Sequence, residues 1–181
     1  HLANEKLHRG EWHRYFGRRL SQCAVGVIGM GRIGSRVVRH LSSFGCPRVM
    51  VNDLDQIINP IPELRWEWQE KEVIYREADI ISIHVPLTTV TKDMISTPEL
   101  EMMKPDAVLI NTSRGGIVNE KALFGVMSKG HLSGAGVDTF ESEPYKGPLA
   151  SIERCLLTAH MGSMSIDCRA QMELEAAQEA V

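Results

Sequence analysis

No apolar run in this 181-residue chain approaches the ~20 residues that a bilayer-spanning helix needs. The first twenty residues also lack the apolar stretch of a secretory leader. A soluble protein of the cytoplasm, with no membrane partner, is therefore expected. An excess of one charge is missing too. Twenty Lys and Arg stand against 23 Asp and Glu, a net charge of -3. That balance supplies no field to gather a polyanion, and no nucleic-acid partner is expected. Aromatic residues are only 6% of the chain, and no aromatic ladder accompanies the basic residues near the start. The four cysteines (Cys23, Cys46, Cys155 and Cys168) form no C-x-x-C pair and no cluster at zinc spacing, so no metal site is expected. They read as small buried or half-buried hydrophobes in a reducing compartment.

What remains is ordinary globular material, 43% apolar and 24% charged, long enough for one large domain. Residues 1–20 stand apart. Arg9, Arg14, Arg18 and Arg19 mix with Glu5 and Glu11, and Leu2, Ala3 and Leu7 suggest the end of a helix that stops at Gly10. From Cys23 onward, short apolar runs alternate with amphipathic stretches. Strands are predicted at 24–28, 48–52, 64–68, 80–84, 107–110, 135–137 and 155–158, and helices from Ile33 to Gly45, at 70–78, from Thr97-Pro98, at 119–128 and at 166–181. In the third of these helices, Thr97 reads as the cap and Pro98 as the first helical residue. The alternation predicts an α/β fold, a doubly wound and mostly parallel sheet of Rossmann type. Such sheets place ligands at the carboxyl ends of their strands.

The first strand runs into Gly29-Met30-Gly31-Arg32-Ile33-Gly34, a G-x-G-x-x-G that opens a helix. In that setting Gly29 allows a tight turn, Gly31 lets backbone approach a pyrophosphate, and Gly34 lets helix pack on strand. Glycine-rich turns are common, and the setting is what gives the motif its weight. Asp53 follows 19 residues after Gly34, at the end of the second strand. A carboxylate there can accept bonds from ribose hydroxyls and repel a 2′-phosphate, which favours NAD over NADP. The plainer alternative is an acid that shapes a strand-end turn.

Three further residues follow later strands: Arg114 in Asn111-Thr112-Ser113-Arg114-Gly115-Gly116, Glu143 just before Pro144, and His160 in the last loop. A guanidinium forks onto a carboxylate, and histidine is suited to proton transfer near neutral pH, steadied by an adjacent acid. Taken singly, the arginine could merely satisfy loop carbonyls and the histidine a local hydrogen bond. Their shared placement after consecutive strands raises them above that.

With these residues in view, the chain from Val27 to about Gln171 resembles the D-isomer-specific 2-hydroxyacid dehydrogenase family. The blocks are V-I-G-M-G-R-I-G at 27–34, H-V-P-L-T at 84–88, I-N-T-S-R-G-G-I-V-N at 110–119, G-V-D-T-F-E-S-E-P at 136–144 and L-T-A-H-M-G-S at 157–163. The resemblance implies hydride transfer between NAD(H) and the C2 of a small 2-hydroxy or 2-oxo acid. His160 would be the general acid/base, Glu143 (rather than Glu141) its partner, and Arg114 the holder of the substrate carboxylate. Gly29, Gly31, Arg32, Ile33, Gly34, Asp53, Val85, Pro86, Thr112, Ser113, Arg114, Asp138, His160, Gly162 and Ser163 would line the cofactor, with Asp138 on the nicotinamide side. Ala159 stands where the family usually has proline, and Ser21-Gln22-Cys23 replaces the usual Gly-Lys approach to the first strand.

The resemblance also implies a division into an interdomain lead-in (1–20), a dinucleotide-binding domain (21–165) and the start of a helix returning to a substrate domain (166–181). That substrate domain would be largely absent from these residues, leaving a piece that binds NAD(H) with little turnover of its own, and the whole protein would be a homodimer. The alternative is an NAD-sensing, corepressor-like binding protein of the same fold. Formate dehydrogenase resembles the chain less, because a glutamine stands there in the place of Glu143.

Overall fold

The computed structural model describes residues 1–54 and 66–179. A short helix, α1 (Leu2–His8), and a 3-10 turn lead into β1 (Ala24–Ile28), α2 (Arg32–Ser43) and β2 (Arg48–Asn52). Then follow β3 (Glu67–Trp68), α3 (Lys71–Glu77), β4 (Ile80–Ile83), α4 (Thr97–Met102), β5 (Val108–Asn111), α5 (Glu120–Ser128), β6 (Gly134–Val137), β7 (Cys155–Leu157) and α6 (Ile166–Glu179). The predicted elements are all present, with ends shifted by a residue or two. Leu64 and Arg65 of the third strand, and Ala180 and Val181 of the last helix, lie outside the described residues.

The strands form one sheet in the order β3-β2-β1-β4-β5-β6-β7. Every described pairing is parallel, so the expected "mostly parallel" sheet is wholly so. Because β1 pairs with both β2 and β4, the chain reverses its winding direction between β1 and β4, which opens a crevice there. Period-2 alternation then sorts the side chains. Val25, Val27, Val49 and Val51 pack with Val38 of α2 on one face. Ile28, Met50, Ile81 and Ile83 pack with Ile74, Leu100 and Leu123 of α3, α4 and α5 on the other. Gly26 is part of this fit: a Cβ there would lie 2.3 Å from Ile74 Cγ2. α6 buries none of its residues.

One local expectation is corrected. The cap of α4 is Ser96, not Thr97, and Thr97 is already helical with Pro98 next. The Glu99 carboxylate accepts the Ser96 N–H at 2.8 Å, so a capping box one residue earlier outcompetes the Thr-Pro signal.

The lead-in segment is tied to the sheet through one acid. Asp79 is buried, and it accepts from the Ala24 N–H (2.7 Å), Lys104 Nζ (2.9 Å) and Arg18 Nη1 (3.0 Å). Burial raises its pKa, but Lys104, the Ala24 amide and Arg18 outweigh that and hold it below the usual carboxylate value. Asp79→Asn is therefore expected to cost about 2 kcal/mol at pH 7, read by urea denaturation. The native value is depressed, so this stabilisation is complete above the unfolded-state pKa of about 4 and disappears as pH falls through the native one. Wild type and variant should converge only as pH falls below the native pKa, which lies under about 4. A gap unchanged at pH 3 would mean the carboxylate charge is not its source.

Candidate active site

The glycine loop performs three separate tasks. Gly29 has φ +99°, and a Cβ on it would press to 2.6 Å from the His84 carbonyl, so β1 and β4 can end this close together only with glycine there. A Cβ on Gly34 would lie 1.9 Å from Gly29 O, so α2 packs directly on the loop. A Cβ on Gly31 would meet nothing within 4 Å. Gly31 is also the N-cap of α2, which carries no side-chain cap. The first-turn N–H groups and the positive dipole end therefore face open space beside a backbone without side chains, an arrangement that fits a pyrophosphate.

Asp53 accepts the Met30 N–H at 2.6 Å and the Leu54 N–H at 2.7 Å. It thus braces the loop as a turn-forming acid would. It also lines a cavity with Gly29, Gly31, Val85 and Pro86.

Three concavities join along the carboxyl edge of the sheet. The Asp53 cavity shares His84, Val85 and Pro86 with a second, lined also by Ile33, Thr112, Ser113 and Arg114. The second shares Leu87 and Arg114 with a third, which holds Glu143 and His160. One crevice therefore runs from the glycine loop to the arginine, glutamate and histidine. Arg32, Asp138, Gly162 and Ser163 do not line these three concavities.

Asp138 faces the turn that carries His160. Its carboxylate accepts from Thr158 Oγ1 and from the Met161 N–H (2.9 and 3.1 Å), and its carbonyl accepts the His160 N–H at 2.8 Å. These bonds hold His160 at φ +51°, a left-handed conformation that non-glycine residues adopt only where the surroundings impose it.

Within the third concavity, His160 Nδ1 lies 3.0 Å from Glu143 Oε2. Glu143 Oε1 accepts the Phe140 N–H at 3.0 Å. The Phe140 amide first, and the His160 ring second, hold the Glu143 carboxyl below its ordinary pKa, so it stays an anion beside the imidazole. With Nδ1 committed to the carboxylate, Nε2 is the nitrogen left for a ligand. Glu141, the nearby alternative acid, also lines this concavity, but the carboxylate within hydrogen-bond reach of the His160 ring is that of Glu143.

Arg114 donates from Nη1 to the Ser113 carbonyl at 2.6 Å, so the loop-carbonyl alternative is realised for one of its donors. A guanidinium carries five, which leaves the fork able to bind an anion as well. The loop is shaped by Asn111, 2% exposed, which accepts from Ser113 N–H and Oγ and donates to the Arg114 carbonyl. Gly115 lets this loop touch the next one: a Cβ would sit 2.0 Å from the Phe140 carbonyl carbon. Asn111 and Thr158 were not singled out from sequence. The available signal was a polar residue at the end of an otherwise apolar strand. Among the described residues, no three His, Cys, Asp or Glu side chains gather to hold a metal ion.

Comparison with known proteins agrees with this geometry. Residues 1–162 match the family described as D-isomer specific 2-hydroxyacid dehydrogenase, NAD binding domain. The glyoxylate reductase of Thermococcus litoralis is 37% identical over 180 residues, covering 94% of this chain and 54% of that protein. A D-lactate dehydrogenase from Aquifex aeolicus, solved with NAD and lactic acid, superposes with TM-score 0.88 at 26% identity, over 98% of this chain and 59% of that one. An acyclic imino acid reductase, solved with NADPH and D-arginine, gives TM-score 0.81 at 27% identity, over 97% of this chain and 59% of that one. The chain thus spans about half the length of the relatives it matches. By residues 1–162, it belongs to the D-isomer specific 2-hydroxyacid dehydrogenase family, as an NAD-binding domain of that family.

Proposed function

We propose that this chain is the cofactor-binding portion of an NAD-dependent dehydrogenase that interconverts a small 2-hydroxy acid and its 2-oxo acid. One observation carries the reading: a single crevice connects the loop at Gly31 and Asp53 with Arg114, Glu143 and His160. The relatives are named as reductases and dehydrogenases, so a non-catalytic NAD sensor of the same fold is not favoured.

In this reading the amides opening α2 and the bare backbone at Gly31 hold the pyrophosphate, and Asp53 faces the adenosine ribose. A nicotinamide bound in this crevice would supply the hydride chemistry at the substrate's C2. Arg114 forks onto the substrate carboxylate and stabilises negative charge growing on the carbonyl oxygen. His160 gives a proton from Nε2 to that oxygen during reduction and takes it back during oxidation. Glu143 keeps the ring oriented through its contact with Nδ1. Asp138 acts one step removed, by holding the His160 turn. Residues 1–20 and 166–181 belong, in this reading, to the connections with a substrate domain.

Homodimerisation and a cytoplasmic location go with the same reading. The four free cysteines suit a reducing compartment, and among the described residues no helix is long and apolar enough to cross a membrane.

A thermal-shift titration of the chain tests the cofactor reading. NADH at a hundred times its Kd is expected to stabilise the fold by about 2.7 kcal/mol. No shift at millimolar NADH would remove it.

A further inference from the structure

The adenosine end of the crevice carries a cation that its acid would not lead one to expect. β3 lies beside β2, and the two strands end together. The Gln69 N–H donates to the Val51 carbonyl at 2.9 Å, and Asn52 Nδ2 donates to the Gln69 carbonyl at 2.8 Å. Two residues on, Lys71 opens α3 and so stands next to the turn that carries Asp53. Lys71 and Asp53 line the same cavity, together with Gly29 and Gly31. Its volume is about 270 Å³, small enough that a nucleoside entering it meets both walls. Among the described residues Lys71 makes no ion pair. The Asp53 carboxylate, in contrast, is already shared between two backbone N–H groups.

We infer that Lys71 is a specificity-determining residue at the adenosine end, offering an ammonium to a ribose 2′-phosphate, so that the chain accepts NADPH as well as NADH. This rests on the cofactor reading above and extends it. Asp53 taken alone predicts strong exclusion of a 2′-phosphate, because two anions would be forced together. A cation lining the same cavity offsets that repulsion. Asp53 still sets the preference for NADH, and Lys71 sets how far NADPH falls behind.

The test is a set of fluorescence titrations of the full chain with NADH and with NADPH, using wild type, Lys71→Met, Lys71→Arg, Asp53→Asn and Asp53→Asn/Lys71→Met. Lys71 is half-buried and lies outside both core clusters, so its replacement leaves the core untouched. Lys71→Met is expected to weaken NADPH binding about tenfold, the size of one lost charge-assisted contact, with NADH nearly unaffected. Lys71→Arg should restore NADPH binding. Asp53→Asn should tighten NADPH, and adding Lys71→Met should cancel much of that gain. NADPH affinity should also fall more steeply with salt than NADH affinity. If NADH binds but Lys71→Met leaves the NADPH to NADH ratio unchanged, Lys71 has no such role and the cofactor reading survives. If wild type binds neither nucleotide, both fail.

Discussion

His160→Ala should lower kcat for 2-oxo acid reduction by about 10²–10⁴, measured on the protein as the cell makes it, with NADH affinity nearly unchanged. The size follows from what is removed. Nδ1 is held 3.0 Å from Glu143, so Nε2 is the one ring nitrogen available to protonate the substrate oxygen, and no other histidine lines that concavity. The cofactor's phosphates would sit on the α2 loop, at the far end of the crevice, and binding should hardly register the change. His160 occupies the left-handed region, which alanine tolerates poorly, so a fold-preserving companion is needed. Asparagine is comfortable in that conformation and cannot act as the acid. His160→Asn should therefore match alanine in lost turnover and match wild type in thermal stability. Normal turnover in either variant would exclude His160 from proton transfer.

Gly34→Ala is the second large effect, and Gly31→Ala gives it meaning. A Cβ at Gly34 would stand 1.9 Å from the Gly29 carbonyl oxygen, where backbone cannot yield without moving α2 off the sheet. Overpacking of this kind costs about 3 kcal/mol of stability. The amides at the head of α2 move with it, so NADH affinity should fall about a hundredfold, equivalent to about 2.8 kcal/mol. At Gly31 the added methyl meets no atom of the chain, and folding should be nearly unchanged. It would, however, occupy the space where backbone approaches the pyrophosphate, and about tenfold weaker NADH binding is expected. Denaturant melts and NADH titrations of the two variants separate these effects. If Gly31→Ala binds NADH as wild type does, the phosphates do not lie at this loop.

Much of this protein could be read before its fold was known, because the relevant physics is local. Period-2 and period-3.6 apolar spacing marks strands and helices within a dozen residues of chain. The glycine loop announces itself because its turn, its close approach and its packing contact all lie within six residues. Asp53, Arg114, Glu143 and His160 were visible as polar residues directly after apolar strands, where parallel sheets present their ligand-binding edge.

Other features are set by distances between segments far apart in sequence. The Ser96 cap was misjudged by one residue because two local signals compete, and the Glu99 carboxylate decides between them. The Asp138 carboxylate faces Thr158 and Met161, twenty or more residues away, and its support of the histidine turn could not be read from its motif. Arg114 and His160 share a crevice only because β5, β6 and β7 are neighbours and Gly115 lets two loops touch. Nothing in the sequence marks Lys71; the pairing of β3 with β2 puts it beside Asp53. Sequence alone determined which side chains lie at strand ends, since that follows from covalent neighbours and short-range periodicity. Tertiary structure decided which of those ends face one another, since strand order and register are settled by packing across the whole sheet.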